Sequence, residues 1–491
     1  MRSGGRAPEE PPRLKQRTAR TLKWNTIDRF GSQVLYAVVG IVLANVLSQA
    51  DFGLVGAILV FQAFATIFVD SGFGAALLQK KDPTQADYST TFWFNLLISI
   101  LIYGALFAAA PLIADIFGDA RLVVLSRVMF LSFILNGLSI VQTNRLMKRM
   151  NVKQIAVGSI ISLTASGIVG VALALKGFGA WALVWQTIAN TGIKSGWLWL
   201  TGGWTPSAVF SRKSLRSIWR VGAGVFSSSF LNTLSLNIYP FVIGAFHTLS
   251  SLGLYTQADK WSKMGTASIS QILTASFVPV LSGVQDDGAT FRRYVGRIDR
   301  FAAFIIFPAM GALVCLGYPL FHTLFGHKWD EAVPLFRILA FRGIFVVLIS
   351  LYTNYLLSLG KARLLVITEF IKDALLIGAI FATAPFGTVE ALVWGQMAAS
   401  ALTFIIMLLI TARASGISPA RMLADLLPYM FTTLAAMAGA WGLINICGSP
   451  IIQLSAGAGA GIIIYCAILR IAGSRTYIEA EQYILGRLKY K

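Results

Sequence analysis

The chain has 491 residues, of which 56% are hydrophobic and 13% are charged, and its formal net charge is +20 at pH 7. Soluble domains carry about 25% charged residues, so this composition excludes a soluble multidomain protein. Apolar runs of 18 or more residues, each long enough to cross a bilayer core, recur between residues 34 and 472. The sequence therefore predicts an all-α polytopic membrane protein.

Fourteen transmembrane helices are predicted, joined by short connections that leave no room for an extramembrane domain. Their predicted bounds are 24–47, 54–79, 89–110, 122–144, 155–175, 180–200, 219–244, 252–281, 298–319, 334–357, 364–384, 390–411, 429–447 and 451–472. The predicted domains are a disordered basic cytoplasmic tail (1–23), an N-terminal six-helix lobe (24–218), a C-terminal six-helix lobe (219–412), helices 13 and 14 (413–472) and a cytoplasmic tail (473–491).

The basic residues between the predicted helices lie mostly on one side of the membrane. Both tails and alternate connections hold about 30 Lys and Arg, whereas the opposite connections hold Arg121, Lys176 and Lys328. Basic loops stay cytoplasmic, so both termini are predicted to be cytoplasmic and the helix count to be even. Because this signal accounts for most of the net charge, the charge does not indicate nucleic-acid binding.

Short phrases recur about 200 to 210 residues apart, in the same order and at the same place in each half. The pairs are ALVWQ (182–186) with ALVWGQ (391–396), PLIADIFG (111–118) with PLFHTLFG (319–326), QTNRLM (142–147) with YTNYLL (352–357), and DFGL (51–54) with SLGL (251–254). They indicate a duplicated six-helix unit with both copies in one orientation. The cleft between two such lobes is the predicted binding site, opened to each side in turn by rocking. A duplicated scaffold without transport is the alternative.

Charged residues within the predicted spans give the candidate site residues. Eight are basic: Arg29, Arg127, Lys194, Lys260, Lys263, Arg337, Arg342 and Lys372. Exposure to lipid would cost about 3 kcal/mol for each of them. The total exceeds a typical fold stability of about 5–15 kcal/mol. These side chains are therefore expected to face one another, an acidic partner or a watery cavity, apart from those near helix ends that reach the interface.

Five acidic residues share the predicted spans: Asp28, Asp70, Asp259, Glu369 and Asp373. Asp259 and Lys263 are four residues apart on one helix face, so they can form a purely structural ion pair. After all possible pairing, three positive charges remain, which favours an anionic substrate. The candidate substrate-binding residues are Arg127, Arg337, Arg342, Lys260, Lys263, Lys194 and Arg29.

Arg127 and Arg337 are 210 residues apart and so occupy equivalent positions in the two copies. Two guanidinium groups facing a central cleft can hold a phosphate or diphosphate by paired hydrogen bonds. A duplicated anchor at the membrane interface explains the same pair equally well.

Signals for catalysis or for a bound metal are missing from the sequence. There is no P-loop motif, and His247, His322 and His327 lie in or near predicted periplasmic connections without metal-ligand spacing. The three cysteines lie in apolar segments without disulfide or metal spacing. No enzymatic activity, cofactor or metal is therefore predicted.

The stretch DFGLVGAILVFQAFATIFVDSGFGAALLQKKD (51–82), followed by STTFWFNL (89–96), resembles the polysaccharide-transporter (Wzx-type flippase) branch of the multidrug/oligosaccharidyl-lipid/polysaccharide exporter superfamily. The resemblance covers nearly the whole chain and is nearest to exporters of colanic acid and succinoglycan. It implies transfer of an undecaprenyl-diphosphate-linked oligosaccharide across the bacterial inner membrane through a cationic cavity. It also implies membrane lipids and the polysaccharide polymerase machinery as partners, and a two-lobed cleft in one chain is sufficient for a monomer to function. Coupling to protons or sodium ions is a further implication of the resemblance, and the candidates for ion coupling are Asp28, which lies beside Arg29, and Asp70.

Two other functions remain as alternatives. A drug or cation antiporter of the same superfamily would need a cavity with surplus negative charge, and such proteins usually have twelve helices. A polysaccharide polymerase or ligase would need a sizeable periplasmic loop, whereas the longest predicted periplasmic connection has about 15 residues.

Overall fold

The computed structural model describes residues 12–70, 73–285, 287–484 and 486. Within them the chain forms α-helices and short 3-10 helices, and no strand is present. The α-helices are α1 (Pro12–Val46), α2 (Gln49–Asp70), α3 (Phe73–Gln79), α4 (Gln85–Phe117), α5 (Arg121–Met129), α6 (Leu131–Lys148), α7 (Val152–Leu175), α8 (Ala180–Gly202), α9 (Arg212–Phe246), α10 (Leu249–Ser282), α11 (Gly288–Cys315), α12 (Gly317–Phe325), α13 (Val333–Ser358), α14 (Ala362–Thr383), α15 (Val389–Ser415), α16 (Pro419–Ile446), α17 (Pro450–Ile471) and α18 (Arg475–Ile484), and the 3-10 helices are His327–Ala332 and Ala384–Phe386.

Ten helical segments in the described part of the chain are long and apolar enough to cross a membrane. The chain is therefore a multi-pass helical membrane protein. The other four predicted spans are also helices, namely α8, α9, α10 and α14. In α14, Glu369, Lys372 and Asp373 interrupt the apolar run. The count of fourteen spans stays a prediction.

Several helices extend beyond the apolar runs from which they were predicted. Helix α11 begins at Gly288 rather than 298, because the Asp287 side chain accepts hydrogen bonds from the backbone N–H groups of Ala289 and Thr290. Helix α1 begins at Pro12, inside the segment predicted as a disordered tail, and α18 lies in the predicted C-terminal tail. The predicted helix 54–79 is helical as α2 and α3 on either side of residues 71 and 72, which lie outside the described residues.

The chain divides into two units, residues Met1–Gly253 and Leu254–Lys491. In unit 1, α7 packs against α1 and α8, α6 packs against α4 and α8, and α9 packs against α2, α3 and α4. The buried polar residues on the first turns of α4 fix the connection that follows α8. Ser89 Oγ lies 2.9 Å from Ser207 Oγ, Thr90 Oγ1 accepts from the Ser211 backbone N–H, and Trp93 Nε1 donates to the Ser207 carbonyl.

The core of unit 2 is apolar and lies among α11, α13, α15 and α16. Ile306, Leu348, Met407 and Leu426 are buried at its centre, one from each of these helices. Helix α14 packs against α15, and α17 packs against α16. Burying such side chains contributes about 1.5–3 kcal/mol each relative to water.

Candidate functional site

A polar cavity of about 720 Å³ lies within unit 1, between helices α2, α3, α6, α8 and α9. Ten of its fifteen lining residues carry a hydroxyl, an amide or an amine: Thr66, Asn136, Ser139, Thr143, Asn144, Asn190, Thr191, Lys194, Ser229 and Thr233. Cavities of about 300–1,000 Å³ are the size that proteins use for small-molecule ligands.

Helical periodicity explains why α6 presents a polar face to this cavity. Asn136, Ser139 and Thr143 follow one another at spacings of three and four residues, so their side chains lie on one face of the helix. Each hydroxyl donates to a carbonyl of its own helix, Ser139 to Asn136 and Thr143 to Ser139, both at 2.9 Å. The oxygen lone pairs therefore remain as acceptors on the cavity wall.

Helix α8 supplies the charge of the cavity. Asn190, Thr191 and Lys194 line it at positions i, i+1 and i+4. Among the described lining residues, only Lys194 is charged. The Oδ1 atom of Asn190 is buried and has no hydrogen-bond partner within the described part of the chain. The wall thus offers an ammonium donor and an unsatisfied amide acceptor within one turn of helix.

Gly74 brings α3 close to the cavity wall. A Cβ atom at this position would lie 2.6 Å from Nδ2 of Asn144, closer than van der Waals contact permits. Asn144 itself lines the cavity and donates to the Ile140 carbonyl at 2.9 Å. Close packing against Asn144 therefore explains the glycine at position 74.

Unit 2 contains an apolar cavity of about 460 Å³ between α11, α13, α15 and α16. Its wall includes Phe307, Leu348, Phe404 and Met430, and Arg337 is the charged residue among those that line it. Arg337 also lines an adjoining cavity of about 390 Å³, together with Asp330 and Gln453 among others.

The guanidinium group of Arg337 is only partly satisfied. Its carbon lies 5.3 Å from the centroid of the Trp441 ring, a cation–π distance. Its Nε atom is buried without a hydrogen-bond partner among the described atoms. Arg337 would have to turn this buried atom toward one of the two cavities in order to donate to an anionic group there.

Some of the other predicted site residues belong to unit 1 and some belong to unit 2. Arg127 packs its guanidinium 4.3 Å from the centroid of the Phe107 ring and donates from Nε to the Phe107 carbonyl. Arg342 donates from Nε to Ser400 Oγ at 2.9 Å. Arg29 is exposed on α1.

Lys263 Nζ lies 2.6 Å from Asp259 Oδ2, so the ion pair that their four-residue spacing predicts is present. Lys372 pairs in the same way with Glu369. Lys260 is half-buried, with its ammonium 5.3 Å from the centroid of the Trp261 ring.

The two candidates for ion coupling lie on the first two helices, α1 and α2. Asp28 on α1 accepts a hydrogen bond from Ser32 Oγ at 3.2 Å. The side chain of Asp70 lies outside the described residues. Ion coupling through either carboxylate stays a prediction.

Comparison with known families places this geometry in context. A family model described as polysaccharide biosynthesis protein matches residues 42–334, more than half of the chain. The chain belongs to the polysaccharide biosynthesis protein family. The matched region of this polysaccharide biosynthesis protein contains every residue that lines the polar cavity of unit 1.

Relatives of this polysaccharide biosynthesis protein share about a quarter of its residues. The teichuronic acid biosynthesis protein TuaB of Bacillus subtilis is 26% identical over 405 residues, which are 80% of this chain and 82% of the relative. The succinoglycan biosynthesis transport protein ExoT of Rhizobium meliloti is 26% identical over 376 residues, 76% of either chain. In fold, the chain is similar to the lipid II flippase MurJ in an inward closed conformation, with a TM-score of 0.74 at 14% identity, over 91% of this chain and 99% of that one.

Most residues that line the polar cavity of this polysaccharide biosynthesis protein were not predicted from sequence. Lys194 was predicted, because a lysine within a membrane span is costly unless it faces a polar space. Asn136, Asn144 and Asn190 carry no charge and were not singled out. Their shared signal is the three- and four-residue spacing of polar side chains in otherwise apolar helices.

Proposed function

We propose that this protein is a flippase that moves an undecaprenyl-diphosphate-linked oligosaccharide across the bacterial inner membrane by alternating access. The observation that carries the proposal is the polar cavity of unit 1, whose wall combines nine hydroxyl or amide side chains with one cation, Lys194. Hydroxyls and amides both donate and accept hydrogen bonds, as sugar hydroxyls do. An ammonium group adds attraction for a phosphate or an acidic sugar.

The apolar cavity of unit 2 gives separate support. A polyprenyl chain is apolar along its whole length and is stabilised by contact with side chains such as Phe307, Leu348 and Phe404. Arg337 lies on the same wall and is a donor suited to the diphosphate that joins the chain to the sugars. The two relatives are named for polysaccharide biosynthesis and transport, which belong to the same class of process.

The alternative of a drug or cation antiporter is disfavoured by the charge of the cavity wall. No Asp or Glu is among the described residues that line the polar cavity, and its one charge is positive. A cation in this cavity would be repelled by Lys194 without a carboxylate to compensate.

The test is export of surface polysaccharide in a strain that lacks the chromosomal gene and carries plasmid-borne variants. We expect Lys194→Ala to reduce surface polysaccharide strongly, because loss of a charge-assisted hydrogen bond costs about 1.5–3 kcal/mol, or about ten- to a hundredfold in affinity. The matched control is Lys176→Ala, since Lys176 is an exposed lysine in the connection after α7.

Equal membrane levels of both variants, measured by immunoblot, would show that the difference is functional. Unchanged polysaccharide with Lys194→Ala would contradict the assignment of the polar cavity.

A further inference from the structure

We propose that His322, His327 and Asp330 form a binding site for a divalent transition-metal ion, with Zn²⁺ as the preferred ion. Their ligand atoms all lie within 4.8 Å of one another. Two imidazoles and one carboxylate are the ligand set of many zinc sites that keep a fourth position for water. The cluster lies at the end of unit 2 that the distribution of basic residues predicts to be periplasmic.

The distances between the ligand atoms suit tetrahedral coordination. Zinc binds nitrogen and oxygen at about 2.0–2.2 Å, so neighbouring ligands of a tetrahedral site lie about 3.3 Å apart. Nδ1 of His322 lies 3.2 and 3.3 Å from the two carboxylate oxygens of Asp330. Nδ1 of His327 lies 2.7 Å from Oδ2 of Asp330, so binding requires only a small outward shift of this exposed ring.

The backbone turn between α12 and the 3-10 helix brings these three side chains together, although His322 belongs to the first of these helices and His327 and Asp330 belong to the second. Helix α12 ends at Phe325, and Gly326 follows with a φ of 77°, which turns the chain so that the His327 ring lies 4.6 Å from the His322 ring. Trp329 is fully buried and anchors the 3-10 helix that carries His327 and Asp330.

Access to the site is open on one side. The side chains of His322 and Asp330 are 23% exposed, whereas that of His327 is 86% exposed. The Tyr318 ring lies 5.4 Å from the His322 ring and limits how that imidazole can rotate. Two ligands are thus partly preorganised, and the third can close over an entering ion.

The cluster belongs to the second copy of the duplicated phrase and has no counterpart in the first. The phrase PLFHTLFG (319–326) pairs with PLIADIFG (111–118), in which Ala114 occupies the position of His322. Asp119 then stands where the second copy has His327. The turns differ as well, because Gly118 and Gly326 both have a positive φ but ψ is 24° at Gly118 and 176° at Gly326.

A bound ion would fix the connection between α12 and α13. The 3-10 helix leads directly into α13 at Val333, four residues before Arg337. Asp330 and Arg337 line the same cavity of about 390 Å³. Metal binding would therefore hold in place the start of the helix that carries Arg337.

The test uses the full-length protein in detergent, purified through a tag that contains no histidine and stripped of metal with a chelator. Zn²⁺ binding is measured by titration and elemental analysis, and Co²⁺ serves as a spectroscopic substitute. We expect one ion per chain and tetrahedral Co²⁺ absorption bands. His322→Ala and Asp330→Asn should each weaken binding by at least about tenfold, since even outer-sphere changes cost about 10–100-fold.

His247→Ala is the matched control, because His247 lies in a different connection, after α9. Asp330→Asn keeps the shape of the side chain, and an unchanged elution volume and circular dichroism spectrum would establish that it folds. Absence of Zn²⁺ binding to the wild-type protein, or equal binding by all variants, would overturn the proposal and leave the His–Asp contacts as hydrogen bonds only.

Discussion

At the scale of single residues, Lys194 and Arg337 have contrasting surroundings. Lys194 lies in a wall of hydroxyls and amides, whereas Arg337 lies between an apolar cavity and the Trp441 ring with its Nε unpartnered in the described structure. A group with an unsatisfied buried donor is the stronger candidate for binding an anion, because the missing hydrogen bond costs about 1–3 kcal/mol.

We expect Arg337→Ala to lower polysaccharide export by about tenfold or more, and Arg337→Lys to recover only part of it, because lysine lacks the planar bidentate donor set. Arg127→Ala should have a smaller effect, because Arg127 already donates to the Phe107 carbonyl and packs on that ring. Surface polysaccharide at equal protein level is the measurement. A larger defect for Arg127→Ala than for Arg337→Ala would contradict this ranking.

The sequence indicates charged site residues better than neutral ones. A charge within an apolar span is conspicuous because it is costly there, so Lys194 and Arg337 stand out. Pairing within one helix is predictable from spacing, as Lys263 with Asp259 shows, whereas contacts between helices depend on packing. The histidine cluster was not indicated because the turn at Gly326, rather than any spacing motif, brings His322 and His327 together.

At the scale of helices, polar residues at the ends determine where some of the elements begin, and α4 is one of them. Asp87 on the first turn of α4 is 1% exposed, bonds the Lys80 ammonium at 2.7 Å, and forms a capping box with Thr84. Hydropathy detects the apolar part of α4 but not this cap, so the predicted start at residue 89 is four residues late.

We expect Asp87→Ala to destabilise the protein by about 2–4 kcal/mol, since it removes a cap and a partly buried ion pair. Asp82→Ala is the control, because Asp82 is an exposed aspartate in the same connection, between α3 and α4. Thermal unfolding in detergent compares the two. Equal melting temperatures would show that the cap contributes little.

Residues of the paired phrases have similar local surroundings in the two halves, and the duplication itself stays a prediction. Trp185 and Trp394, from the ALVWQ and ALVWGQ phrases, are 45% and 49% exposed. The Thr143 and Thr353 hydroxyls each donate to the carbonyl four residues earlier, at 2.9 and 2.8 Å. The extra Gly395 has its own local cause, because a Cβ there would lie 2.7 Å from Thr383 Cγ2.

Gly53 and Gly253, from the DFGL and SLGL phrases, form reciprocal close contacts within unit 1. A Cβ at Gly53 would lie 1.8 Å from the Leu249 carbonyl oxygen, and one at Gly253 would lie 2.0 Å from the Gln49 carbonyl oxygen. Small residues permit such close approach of helix backbones in membranes.

We expect Gly53→Ala and Gly253→Ala each to destabilise the fold by at least about 1–3 kcal/mol through overpacking. Gly104→Ala is the matched control, because no atom lies within 4 Å of a Cβ at that helical position. Melting temperature and membrane yield are the readouts. If Gly53→Ala were as stable as Gly104→Ala, the close contact would not exist in the protein.

At the scale of the whole molecule, composition and charge are sufficient to predict a multi-pass helical protein, and ten spans among the described residues confirm that class. The number of helices is less predictable, since α14 carries Glu369, Lys372 and Asp373 inside one apolar run. The cavities were not predictable as shapes, because they arise from the packing of α2, α6, α8 and α9 in unit 1, and of α11, α13, α15 and α16 in unit 2.

The central claim is that the protein moves a lipid-linked oligosaccharide to the outer leaflet. The most direct measurement is the amount and leaflet of undecaprenyl-diphosphate-linked repeat units in a strain from which the gene has been deleted. The account predicts that these lipids accumulate on the cytoplasmic side, and that the wild-type gene and Lys176→Ala, but not Lys194→Ala, restore their export. Loss of surface polysaccharide without such accumulation, or normal export in the deletion strain, would contradict it.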